Sequence, residues 1–296
     1  MTAAESPRPG PPLGVPIEVV GEDRGWDQVR TELDSAGSVL LHAPLAEWYP
    51  GVSSTAELRA LLGDDWSCYL SLAHPDLRVQ HAASRMLLQH AARVVCQDGR
   101  GSSELGYGPT GRPYLRGCDG IDISLSHADG LMVVGLTTRG LIGVDVERAD
   151  RPVYGKGLGR HICTPYELVT LSHLPERERN GSLVRLWTLK EAYSKAIGQA
   201  MKFRFTEFGF APDGGPMRVQ RPDGSLGDSH EWAFSSVVLD SGYRVSAAVF
   251  DAAAMRGERE WAAVAAPRGS ADPVDPPDPL GQPAPCTDDP APGPLP

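Results

Sequence analysis

Several large classes of protein are excluded by what this sequence does not contain. No apolar run approaches the ~20 residues that cross a bilayer, and the N-terminus, MTAAESPRPGPPLG, lacks the basic-then-apolar order of a secretion signal. A cytoplasmic protein with no membrane partner is therefore expected. None of the five cysteines (Cys68, Cys96, Cys118, Cys163 and Cys286) stands in a CxxC pair. That removes a thiolate zinc site and gives no disulfide framework, so free and mostly buried thiols are expected. There is no GxSxG elbow to support a hydrolase and no short-period repeat. A net charge of −10 argues against general binding to nucleic acid or anionic membranes.

What is present is ordinary globular usage. The 296 residues are 41% hydrophobic and 22% charged, enough for one large domain or two small ones around a sizeable core. The charge is uneven. From Pro267 onward five Asp face one Arg, whereas Arg78 to Arg116 holds six Arg against Asp98 and Glu104. A local basic stretch on an acidic protein suits a small polyanion better than DNA.

Residues 1–14 and 265–296 are rich in Pro, Gly and Asp and read as disordered. Between them helix and strand patterns alternate. His81 to Cys96 and Ser182 to Ile197 have apolar residues at helical spacing, with Gly99 and Gly198 as stops. Ile121 to Leu125 is a short alternating run. Leu131 to Thr137 and Leu141 to Glu147 are β-rich and, joined by Thr-Arg-Gly, predict a hairpin. Trp232 to Leu239 and Tyr243 to Phe250 predict a second antiparallel pair around Ser241-Gly242. This is an α+β arrangement of two similar lobes, 15–140 and 141–264.

Four groups of residues carry chemistry. Asp145 and Glu147 lie two apart in a strand, so they leave one face, with Val144 and Val146 on the other. Such a pair suits a hard cation, and it equally describes an acidic solvated strand face. Glu191 and Lys195 are i,i+4 neighbours on the second helix, next to Lys190. They read as an exposed ion pair, or as a third carboxylate beside an ammonium for phosphate. Ser126 and His127 are adjacent in or just after a strand and so point to opposite faces, a poor nucleophile–base pair; a loop pair donating to an anion, or a structural histidine, fits as well. Finally, Gly111-Arg112-Pro113 is a rigid turn that holds one Arg outward.

In order, GRPYL, ISLSHADG, IGVDVER and WTLKEAYSKAIG resemble the Sfp-type 4′-phosphopantetheinyl transferases. Their signature is a G-[KR]-P loop, an S-H pair, G-[VI]-D-[VI]-E and then [WF]-x-x-K-E-[AS]-x-x-K. The resemblance runs from Arg78 to Leu239; Val15 to Leu77 and the tail after Ala266 have no assigned counterpart. It implies two α+β lobes related by a pseudo-twofold axis, with coenzyme A in the cleft between them. It further implies transfer of phosphopantetheine to a serine of an apo acyl or peptidyl carrier protein by a monomer, releasing 3′,5′-ADP and serving fatty-acid, polyketide or non-ribosomal peptide synthases. Asp145, Glu147 and Glu191 would hold Mg²⁺, or Mn²⁺ in its place. Glu191, or a water it orients, would act as base, and Lys195, supported by Lys190, would stabilise phosphate charge. Ser126 and His127 would contact the 3′-phosphate, Gly111, Arg112 and Pro113 the adenine side, and Arg85 and Arg78 the same nucleotide.

Overall fold

A computed structural model describes residues 13–49, 54–96, 104–108, 112–118, 120–198, 204–214, 217–227 and 231–252. The chain is mixed α+β. It begins with β1 (Ile17–Glu18), α1 (Trp26–Ala36) and β2 (Ser38–Pro44), followed by α2 (Thr55–Leu62), α3 (Trp66–Ser71) and the long α4 (Pro75–Val95). A small hairpin, β3 (Glu104–Tyr107) with β4 (Pro113–Arg116), precedes β5 (Asp122–Ala128), β6 (Leu131–Thr137) and β7 (Gly140–Arg148). Helices α5 (Leu158–Ile162), α6 (Pro165–His173) and α7 (Glu176–Ala196) then lead to β8 (Trp232–Val238) and β9 (Tyr243–Asp251).

Beside the two-stranded β3–β4 sheet, the described residues form two larger sheets, one before and one after the Arg139–Gly140 step, in the orders β1-β2-β6-β5 and β7-β9-β8. Strand β6, LMVVGLT, is buried at every position because it is covered on both faces. Met132, Val134 and Leu136 meet α1 and α4, while Leu131 and Val133 meet Ile142, Val144 and Val146 of β7. Alternation along a strand makes this division unavoidable. Gly135 allows the close approach, since a Cβ there would lie 2.6 Å from Val144 Cγ1.

The expected β6–β7 hairpin is not formed. β6 already has β2 on one edge and β5 on the other, so no backbone edge remains for β7. β7 crosses to the second sheet and pairs with β9. Arg139 fixes the crossing by donating from Nε to Ala36 O (2.9 Å) and pairing with Asp251 (2.8 Å). The hairpin that does form joins β5 to β6 through Asp129-Gly130, both at positive φ (42° and 86°). An Asp-Gly pair is the strongest short hairpin signal. The β8–β9 pair around Gly242 forms as expected.

Both long helices start earlier than their apolar period suggests, α4 at Pro75 and α7 at Glu176. Pro75 sits where its missing N–H costs nothing, and ERERNG is helical without carrying an apolar period. The expectation of free thiols also fails. Cys96, just after α4, is bonded to Cys118, just after β4, with Cα atoms 5.7 Å apart. A separation of 22 residues gives no local sign of such a contact, which only the fold creates. Cys163 is a free, buried thiol, pushed up to about 12 by burial and then by the Glu167 carboxylate.

Candidate active site

Strand β7 is the base of the site. Its even residues enter the core between the sheets, so Gly143, Asp145 and Glu147 face α7. Gly143 matters for a steric reason: a Cβ there would lie 1.9 Å from Ala192 O and 2.5 Å from Ala196 N. Without a side chain at 143 the helix backbone settles onto the strand, and the residues flanking Ala192 come beside Asp145.

The outer edge of β7 is served by side chains rather than by a strand. Asp122, Ser124 and Ser126, alternate residues of β5, bond in turn to Ile142 N (2.7 Å), Val144 N (3.2 Å) and Asp145 Oδ1 (2.9 Å). Lys195 completes the last contact. Its Nζ donates to Asp145 Oδ1 at 2.8 Å and to Ser126 Oγ at 2.9 Å. Ser126, Asp145 and Lys195 are thus one closed hydrogen-bonded cluster, in which the carboxylate is buried and the ammonium partly exposed.

Ser126 and His127 diverge, as strand geometry requires. Ser126 faces α7, whereas His127 Nδ1 accepts a hydrogen bond from Gln80 of α4. No serine–histidine nucleophile pair exists here. Glu147 lies one alternation beyond Asp145; its carboxylate accepts from Arg148 N (2.9 Å) and pairs with Arg151. Glu191 is half-buried on α7, one turn before Lys195.

Among the described residues, no three His, Cys, Asp or Glu side chains are grouped to hold one ion. Asp145 and Glu147 have the oxygen chemistry a hard cation prefers. In this arrangement each pairs with a cation of the chain, Asp145 with Lys195 and Glu147 with Arg151.

Other expected contacts are also redirected. Lys190, expected to support Lys195 at the phosphates, is fully buried, donating to Glu167 Oε2 (2.6 Å) and to the carbonyls of Ile162 (2.6 Å), Phe205 (2.7 Å) and Phe208 (2.8 Å). Burial pulls this ammonium below its usual range while Glu167 pushes back. Arg112 does not point outward. It turns in to bond Asp122, the carbonyl of Lys195 and Ile142 O (2.7 Å). Burial raises Asp122 despite that guanidinium. Arg85, 5% exposed, pairs with Asp65 (3.2 Å) and stacks over Tyr107 (4.8 Å). Arg78 donates to Leu72 O (2.8 Å) at the end of α3 and lies over Tyr69 (5.8 Å). Pro113 opens β4 opposite Tyr107, and Gly111 lies outside the described residues. The basic stretch is therefore largely answered within the fold, since Arg93 also meets Glu22 (3.4 Å). Asp65, Asp122, Glu22 and Glu167 were missed because their partners lie far away in sequence; only the S/T-x-x-E capping box at Thr164–Glu167 was locally readable.

Comparison with known proteins points the same way as the motif order. Residues 141–248 match the model of the 4′-phosphopantetheinyl transferase superfamily. That span contains Asp145, Glu147, Lys190, Glu191 and Lys195, but not Ser126, His127, Arg78, Arg85 or Arg112. Over 137 residues the chain is 33% identical to slr0495 of Synechocystis sp., provisionally named a 4′-phosphopantetheinyl transferase, covering 45% of this chain and 54% of that protein. Over 130 residues it is 27% identical to HetI of Nostoc sp., named a 4′-phosphopantetheinyl transferase, covering 43% and 55%. The chain thus spans about half the length of the curated relatives it matches. Among the described residues, no helix is long and apolar enough to cross a membrane.

Proposed function

We propose that this chain is a 4′-phosphopantetheinyl transferase. It moves the phosphopantetheine arm of coenzyme A to a serine hydroxyl of an apo carrier protein and releases 3′,5′-ADP. The observation that carries this is the Ser126–Asp145–Lys195 cluster, of which Asp145 and Lys195, with the Gly143 that sets them together, lie within the span that matches the superfamily model. Lys195, aimed by its contact with Asp145 in this arrangement, offers a positioned ammonium to developing phosphate charge. Glu191, on the same helix, is the base that takes the serine proton or orients a water to do so. The Ser126 proton is committed to Asp145, so Ser126 is a binding group and not a nucleophile.

Magnesium belongs to the proposal through the resemblance, with Asp145, Glu147 and Glu191 as its ligands; binding would require Lys195 and Arg151 to release the carboxylates. When bound, the ion would supply neutralising charge to the pyrophosphate. Chelation should abolish transfer, and undiminished turnover in EDTA would remove the metal. The relation of the halves 15–140 and 141–264 by a pseudo-twofold axis, the monomeric state and a cytoplasmic place belong to the same proposal. In a reducing compartment the Cys96–Cys118 bond would be open. His127 and Ser126 are assigned to the 3′-phosphate. His127→Ala should then raise KM for coenzyme A more than for dephospho-coenzyme A, and equal effects would remove that assignment.

The decisive test is incubation with a fluorescent coenzyme A, Mg²⁺ and a panel of apo fatty-acid, polyketide and peptidyl carriers. Labelled carrier of the expected mass supports transfer. Coenzyme A bound but never consumed, with every carrier, would leave a binding module instead.

A further inference from the structure

Two arginines of the C-terminal half, Arg185 and Arg244, lie near enough for the charge of one to act on the other. Arg185 of α7 donates from Nη1 to Ala211 O at 2.7 Å. Arg244 of β9 donates from Nη1 to Ser236 Oγ at 3.2 Å, and its buried Nε has no hydrogen-bond partner. The packing of α7 on β9 brings them close. The Thr188 and Ser246 hydroxyls meet at 2.7 Å, so the residue one turn before Thr188 lies over the residue two before Ser246.

Both guanidiniums are half-buried, and among the described residues neither has an ion-pair partner. Burial draws each below the usual range, and the charge of Arg185 lowers Arg244 further. The charge of Asp213 acts on Arg185 in the opposite sense to burial. Glu147 is the cross-strand partner of Arg244, where an opposite charge would ordinarily pair. Its carboxylate is instead taken by Arg148 N and Arg151. Two like charges half withdrawn from water without an ion-pair partner among the described residues oppose folding. Two neighbouring guanidinium forks are, conversely, what a phosphate-type anion fits.

We propose that Arg185, Arg244 and Ser236 form an oxyanion site that takes a doubly charged phosphate-type group between α7 and the sheet. It is separated from Lys195 and Asp145 by the Thr188–Ser246 contact and does not depend on the activity proposed above. The group could be free phosphate or the phosphoryl end of a larger molecule.

Thermal unfolding of the full chain in chloride buffer, at matched ionic strength, tests this with inorganic phosphate, methyl phosphate and acetate. At a hundredfold excess over its Kd, phosphate should raise Tm by about 5 °C or more. Acetate should do markedly less. A response to methyl phosphate shows a site open to esters, and a response to phosphate alone shows a site for the free ion. Arg244→Met should not respond, and without phosphate it should be at least as stable as the wild type because the repulsion is gone. No wild-type response, an equal response in Arg244→Met, or an equal response to acetate overturns the site. Should Arg244→Met fail to fold, the wild type still decides. Two arginine Nε–H resonances must shift saturably with one Kd on phosphate titration, and absence of saturation refutes the proposal.

Discussion

Helix α7 carries two lysines five residues apart, and its two faces use them in opposite ways. Five residues turn a helix by ~140°, so Lys190 enters the core toward α5 and α6 while Lys195 reaches the rim of β7. Lys190 is sealed from water with one carboxylate and three carbonyls; Lys195 stays partly exposed with one carboxylate and one hydroxyl. The motif W-x-x-K-E-x-x-x-K therefore holds one lysine sealed in the core and one at the rim of the strand. A partly exposed ammonium can exchange a carboxylate for a phosphate at small cost. A sealed one cannot.

Breaking the two lysines separately should give opposite phenotypes. Lys190→Ala leaves Glu167 buried and unpaired, a change that typically costs about 3–5 kcal/mol. Denaturant unfolding should show that loss, and turnover per folded molecule should stay near wild type. A loss of turnover in molecules shown to be folded would erase the distinction. Next in size is the chemical face. Glu191→Gln should slow transfer by about 10²–10⁴-fold with an unchanged unfolding midpoint, and Lys195→Ala should act in the same direction. Near-normal turnover by Glu191→Gln would refute its role as base.

Gly143→Ala sharpens the comparison from the strand side. Its new Cβ collides with backbone at Ala192 and Ala196, not with a yielding side chain, so α7 must lift away from β7. Overpacking of this kind costs about 1–3 kcal/mol. Lys195 should withdraw from Asp145 while Lys190, anchored on the other face, keeps its partners. Activity should therefore fall further than stability, as kinetics beside calorimetry would show; the reverse order would mean that the helix is not positioned through Gly143.

What could be read in advance was local. The α7 period, the β8–β9 pair and the same-face placement of Asp145 and Glu147 follow from spacings of two and three to four residues. What could not be read was the choice of partner. β6 looked free to pair with β7 only because nothing local shows that β2 and β5 occupy its edges. Arg112 and Lys190 looked like ligand groups because Asp122 and Glu167, which hold them, lie 10 and 23 residues away. The same blindness hid the disulfide. A cation in a motif identifies a charge, and only the fold says what already balances it.

The smallest effect concerns another buried base, in the first half of the chain. His90 lies between Trp26 and Trp48, with ring centroids at 4.6 and 5.4 Å, and neither ring nitrogen has a hydrogen-bond partner. The Glu22 carboxylate is 3.6 Å away, and Arg93 and Asp23 also act on the ring. Burial outweighs these and holds His90 below the ordinary value of 6.5; His42 is lowered in the same way, against Glu18. The unfolded chain therefore takes up these protons first. Stability should be intact above pH ~6.5 and fall as the pH drops below it, by at most ~1.4 kcal/mol per pH unit for each histidine. The slope of unfolding free energy between pH 7 and 5 measures this, and His90→Phe, which keeps the aromatic packing, should flatten part of it. An unchanged slope would mean that His90 is as well partnered as Lys190, and that burial without a bonded carboxylate is not what sets the two bases apart.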